Sequence, residues 1–234
     1  MIIHAIFLVL IAGLAIPAGA VLARSGVLER SWDKDEVRHA IIGMGAGALV
    51  AAVALVLIPE GAHKQSDILV ITTFVSGSVI FMILDRALNK RSGGLSQFMA
   101  LMLDFIPEAI VLGAIITQSL AQAVFLAIVM AAQNLPEGYA SYLDLSESKM
   151  SRRRLWLMFL IVGVSGPLYI LLGTYVFAHM DSVLGMMMTF CAGGILYLVF
   201  NDVAPRVSMK DHWLPPLGVI AGFSIGLVGY LYTS

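Results

Sequence analysis

Eight runs of apolar residues, each about as long as a bilayer is thick, divide this chain almost without remainder. They lie near residues 2–23, 39–58, 68–86, 96–118, 121–143, 155–178, 183–203 and 214–232. Crossing roughly 30 Å of hydrocarbon takes about 20 residues of helix, and helices satisfy their own backbone there. The expected fold is therefore an all-α integral membrane bundle of eight transmembrane helices, with 1–234 forming one transmembrane domain. The loops are too short for a separate soluble domain. Composition agrees: 59% of residues are hydrophobic and 12% charged, against about 25% charged in a soluble domain. Met1 to Ala23 has the length of a span and no preceding Lys or Arg, so it reads as the first helix rather than a signal peptide. A lone Cys191 rules out an internal disulfide framework. The net charge of −1, with no long basic run, suggests no nucleic-acid partner. The partner implied throughout is the lipid bilayer.

Charge orders the spans. Arg24, Arg30, Lys34 and Arg38 follow the first run, and Arg86, Lys90 and Arg91 the third. Lys149, Arg152, Arg153 and Arg154 follow the fifth, and Arg206 and Lys210 the seventh, whereas the alternate loops hold only Lys64. Basic loops stay cytoplasmic. Both termini are thus expected outside the cell membrane, with the loop 144–154 inside. Gly218, Gly222 and Gly226 recur every four residues in the last run, a spacing that lets helix backbones approach closely. Packing within the protein is the expected use.

The residues least at home in lipid are Asp104, Glu108 and Glu137, deep within the fourth and fifth runs. A charge at mid-bilayer costs about 3 kcal/mol even on the lenient insertion scale. They belong to two related segments, Asp104-Phe105-Ile106-Pro107-Glu108 and Gln133-Asn134-Leu135-Pro136-Glu137. In each, two oxygen-bearing side chains four apart share a helix face, and Asn134 lies beside the second pair. Each segment has a proline before its glutamate, expected to kink the helix and free the carbonyls of Leu103 and Ala132. On two antiparallel helices, the segments form an inverted pair at the middle or cytoplasmic half of the bilayer. No Lys or Arg lies in either run, so three facing carboxylates call for a cation or protons. The expected metal ligands are Asp104, Glu108, Gln133, Asn134 and Glu137, around one ion.

These segments resemble the ZIP (Zrt/Irt-like) family of divalent-metal transporters, particularly its prokaryotic branch. Gln133-Asn134-Leu135-Pro136-Glu137-Gly138 matches that branch's helix 5 motif in full. The helix 4 motif is divergent, matching in Pro107 and Glu108 alone. Asp104 stands where the family has histidine, Phe105 where it has asparagine and Ala109 where it has glycine. Weaker similarities are Gly43-Met44-Gly45-Ala46-Gly47 and Ile58-Pro59-Glu60 in helix 2, Ser165-Gly166-Pro167 in helix 6, and Ala192-Gly193-Gly194-Ile195-Leu196-Tyr197 in helix 7. Eight spans with outward termini also fit the family. The resemblance implies movement of Zn, Mn, Fe or a similar cation toward the cytoplasm, and makes a homodimer plausible.

Departures narrow that expectation. Leu49 replaces a helix 2 methionine ligand, Gly166 a helix 6 glutamate, and Asn201-Asp202 a helix 7 His-Glu pair. The histidine-rich loop of many relatives is missing between Ala87 and Leu95. One ion is expected rather than two. Glu60 with His63, and His179 with Asp181, are weaker ion-capture residues at the outer mouth. Asp202, and Asp211 with His212, are weaker receivers at the inner exit. Met186 to Met188 reads as packing. The alternative function is a degenerate relative that binds metal as a sensor or assembly partner without transport. An enzyme is not expected, since no histidine lies deep in a span beside an acid, and the metal enters as transported substrate with no other cofactor.

Overall fold

Apolar runs of this length in the computed structural model are all helical. It describes residues 2–27, 34–89, 95–148, 150–208 and 212–233, and among these there is no strand. Helix α1 is Ile2–Ser25. Helix α2 runs Lys34–Ala52, passes a π turn at Val53–Leu57, and resumes as Ile58–His63. Then come α3 (Asp67–Asn89), α4 (Leu95–Ile115) and α5 (Leu120–Ser146). Helix α6 is Arg152–Leu172 with a π turn at Gly173–Phe177. Helix α7 runs Asp181–Leu198, a π turn at Val199–Val203, and Ala204–Val207, and α8 is Leu214–Thr233. Seven of these are long and apolar enough to cross a membrane. The eighth, α4, has 21 residues, about 31 Å at 1.5 Å per residue. The all-α membrane bundle expected from the sequence is the architecture observed.

Exposure is inverted relative to a soluble protein. Helices α3 and α8 turn Ile68, Ile71, Ile220 and Leu231 outward, while Asp104, Glu108, Gln133 and Asn134 are buried. Trp213 and Tyr232, at opposite ends of α8, are 81% and 87% exposed, as amphipathic rings at the two membrane interfaces would be.

Small residues decide which helices touch. A Cβ on Gly138 of α5 would run into the Ile16 carbonyl of α1, and one on Gly19 of α1 into the Leu135 carbonyl of α5. Helix α8 lies on α2 in the same way: side chains at Gly218 and Gly222 would strike the carbonyls of Ala40 and Met44. The four-residue glycine spacing therefore serves packing within the chain. Helix α5 is central, packing against α1, α2, α4, α6 and α8. Pro107 and Pro136 both lie inside their helices.

Polar contacts join the helix ends. The last turn of α5 meets the first of α2 and the last of α7, because Asp144 accepts from Arg206 at 3.0 Å and faces Arg38 at 3.6 Å. Helix α5 continues past its apolar run to Ser146, and these ion pairs lie in that extension. Arg24, ending α1, stacks over Trp156 near the start of α6 at 5.7 Å. At the opposite end, Lys64 bonds Gln118 at 3.0 Å and pairs with Asp181 at 3.7 Å. Arg30, Lys90, Arg91, Lys149 and Lys210 lie outside the described residues.

Candidate metal site

The two proline segments meet at the centre of the bundle. Glu108, Gln133 and Asn134 are fully buried and Asp104 is 5% exposed. Gln133 joins the helices: its Nε2 donates to Asp104 Oδ2 at 3.2 Å and to Glu108 Oε2 at 2.6 Å. The four-residue spacing on α4 puts both carboxylates within reach of one amide. Asn134, one residue on, points differently. Its Nδ2 donates to the Ala12 carbonyl of α1 at 2.9 Å, fixing α1 to the same level.

Glu137 does not join this hydrogen-bonded group. It shares a cavity of about 30 Å³ with Asp104, bounded also by Leu49, Leu101, Ile195, Leu198, Asp202 and Val203. That volume accommodates about one water-sized species. Three acids facing one another is thus only partly what the fold produces. Among the described residues, no three His, Cys, Asp or Glu side chains converge closely enough to form a metal cage. Two acids meet on an amide, and the third shares a small cavity with one of them. None of the three takes part in a salt bridge among the described residues.

The donor set is nevertheless incomplete in a consistent way. Asp104 Oδ1, Glu108 Oε1, Gln133 Oε1, Asn134 Oδ1 and Glu137 Oε2 are all buried without a hydrogen-bond partner among the described residues. A buried polar atom left unpaired costs about 1–3 kcal/mol. All five are oxygens, the donor type that hard divalent cations prefer.

Apolar packing fills the neighbouring space. Phe105 is fully buried, with its ring edge-on to Tyr169 at 6.4 Å. A Cβ on Gly166 would lie 2.7 Å from Val9 Cγ2 and 3.3 Å from Phe105 Cζ. Phenylalanine on α4 and glycine on α6 therefore fit one another, and leave no room for a longer side chain at position 166.

The weaker residues divide between the two ends. Glu60 and His63 line a cavity of about 290 Å³ with Gln122 and Tyr230, and Gln122 Nε2 donates to Glu60 Oε1 at 2.6 Å. Asp181 is engaged by Lys64, and His179 is exposed. At the basic end His212 faces Glu36 at 3.6 Å, while Asp211 lies outside the described residues. Asp202 borders the central cavity, and Asn201 Nδ2 bridges Asp202 Oδ1 at 2.8 Å and Asp85 Oδ2 at 3.1 Å. Asp85 was not legible as a site residue, because an acid beside Arg86 near a helix end is unremarkable. Leu49, noted in the sequence only as a missing methionine, is part of the cavity wall.

A helical bundle inverted for lipid, with acids and amides buried at its centre, is the architecture of a polytopic membrane protein. The family model described as ZIP Zinc transporter matches residues 91–229, more than half of the chain, and the protein belongs to that family. No curated protein matches it. Members of the family are transporters rather than enzymes, and their cargo is divalent metal.

Proposed function

We propose that residues 1–234 act as one transporter domain carrying a divalent cation toward the cytoplasm, one ion at a time. The ion binds among Asp104, Glu108, Gln133, Asn134 and Glu137. The observation that carries this reading is the row of five buried, unpartnered oxygens, one from each of these residues. In the proposed bound state the Gln133 amide turns its Oε1 toward the ion and releases the two α4 carboxylates. Asn134 keeps its bond to α1 and offers only Oδ1. A single ion is supported by Phe105, whose ring fills the space toward Gly166. Outward termini are supported by the thirteen-to-one distribution of Lys and Arg between alternate loops.

The test is uptake of Zn, Mn, Fe, Co and Cd into vesicles reconstituted with the purified protein. Saturable uptake is expected for the parent and none for Glu108→Ala or Glu137→Ala. Both variants should still insert, because each loses a mid-membrane charge. Normal transport by both would show that the ion binds elsewhere. Metal binding without uptake by the parent would identify a sensor.

A further inference from the structure

A serine or threonine inside a helix ordinarily turns its hydroxyl back to a carbonyl three or four residues earlier. Many of the spans' hydroxyls follow that rule, and Thr174 instead reaches the Gly113 carbonyl of a neighbouring helix. Thr72 bonds Ile68, Thr73 bonds Leu69, Ser76 bonds Thr73, Thr117 bonds Ala114, Ser165 bonds Val162 and Thr189 bonds Gly185. Ser141 does neither. It is fully buried in α5, and its Oγ has no hydrogen-bond partner among the described residues.

Its position gives that hydroxyl a meaning. Gln133, Glu137 and Ser141 recur at intervals of four and share one face of α5. Ser141 is one turn beyond Glu137, about 6 Å along the axis toward the basic end. The next polar residue on that face is Asp144, which Arg206 and Arg38 already hold. Of the buried side-chain atoms without partners, one is Gln65 Oε1, near the opposite end of the bundle. The remaining six belong to the five central residues and Ser141. Ser141 is thus the one such residue outside the central group that lies on α5, a turn from Glu137.

We infer that Ser141 Oγ is a further ligand of the transported divalent cation, used on the cytoplasmic side of the central site. The inference rests on the function proposed above. When the ion leaves Asp104 and Glu108, Glu137 moves with it as a ligand and Ser141 Oγ takes the place of an α4 carboxylate oxygen. A neutral hydroxyl holds a cation less tightly than a second carboxylate, and passage requires binding weak enough to permit departure. Asp202, which lines the same cavity as Glu137, is the next charged oxygen on the route.

Two variants and two readouts test it. Ser141→Ala should reduce the maximum Mn uptake rate by about fivefold, the loss of roughly one polar contact, with little change in external KM. Ser141→Cys, in a Cys191→Ala background, should raise the Cd-to-Mn uptake ratio, because a thiolate favours the softer ion. Independently of transport, Cd added to that purified variant should produce thiolate-to-metal absorbance that Cys191→Ala alone lacks. That signal should disappear when Glu137→Ala is added. Parent-like uptake by Ser141→Ala, or no Cd absorbance from the cysteine variant, would overturn the assignment of Ser141. Normal uptake by Glu108→Ala and Glu137→Ala would instead overturn the central site.

Discussion

Selectivity at the central site depends on which atoms its side chains present. The five proposed ligands offer only oxygen, and carboxylate and carbonyl donors suit Mn and Mg better than softer metals. Leu49 adds a hydrocarbon wall to the cavity shared by Asp104 and Glu137. Asp104→His introduces an imidazole and should raise the Zn-to-Mn uptake ratio. Leu49→Met brings a thioether to the same cavity, so adding it should raise the Cd-to-Mn ratio. Zn still binds more tightly than Mn in absolute terms under the usual first-row order, so the ratio between variants is the quantity to read. Competitive uptake of paired isotopes measures it. Ratios equal to the parent's in active variants would place selectivity outside the central site.

Between helices, affinity comes from close backbone approach, since lipid tails are as apolar as leucine. The α1–α5 crossing is built on Gly138 and Gly19 and the α2–α8 crossing on Gly222 and Gly218. The first crossing also carries the bond from Asn134 to the Ala12 carbonyl. Gly138→Ala should therefore separate α1 from α5 and lose that bond. We expect a destabilisation of about 1–3 kcal/mol from overpacking, with weakened metal uptake. Gly222→Ala should destabilise to a similar extent through the α2 crossing, away from the Asn134 bond, and leave the metal preference unchanged. Thermal unfolding in detergent, beside isotope uptake, separates the two effects.

Across the whole molecule, one end gathers Arg24, Lys34, Arg38, Arg86, Arg152, Arg153, Arg154 and Arg206 among the described residues, and the other has Lys64. Basic ends remain in the cytoplasm. Cysteines replacing Ile2 and Ser151, introduced separately in a Cys191→Ala background, should respond oppositely to an impermeant thiol reagent applied to intact cells. Position 2 should label and position 151 should stay protected. Labelling at 151 from outside would reverse the proposed direction of transport.

The sequence by itself determined the class of fold, the order of the helices and which acids lie within apolar runs. Each follows from short-range physics: the length of an apolar run, the alternation of Lys and Arg, and the four-residue spacing of Asp104 with Glu108 and of Gln133 with Glu137. The motif of α5 was legible for the same reason, since its residues are contiguous. Only the tertiary structure decided how these side chains are shared. Gln133 bridges the two α4 acids, Asn134 turns to α1, and Glu137 lines a small cavity with Leu49 and Asp202. Those arrangements depend on the rotation and crossing of separate helices, set by glycines and by the fit of Phe105 against Gly166. Ser141 shows the boundary between the two. Its spacing from Glu137 was visible in the sequence, but a hydroxyl without a carbonyl partner is a fact of packing, which periodicity does not encode.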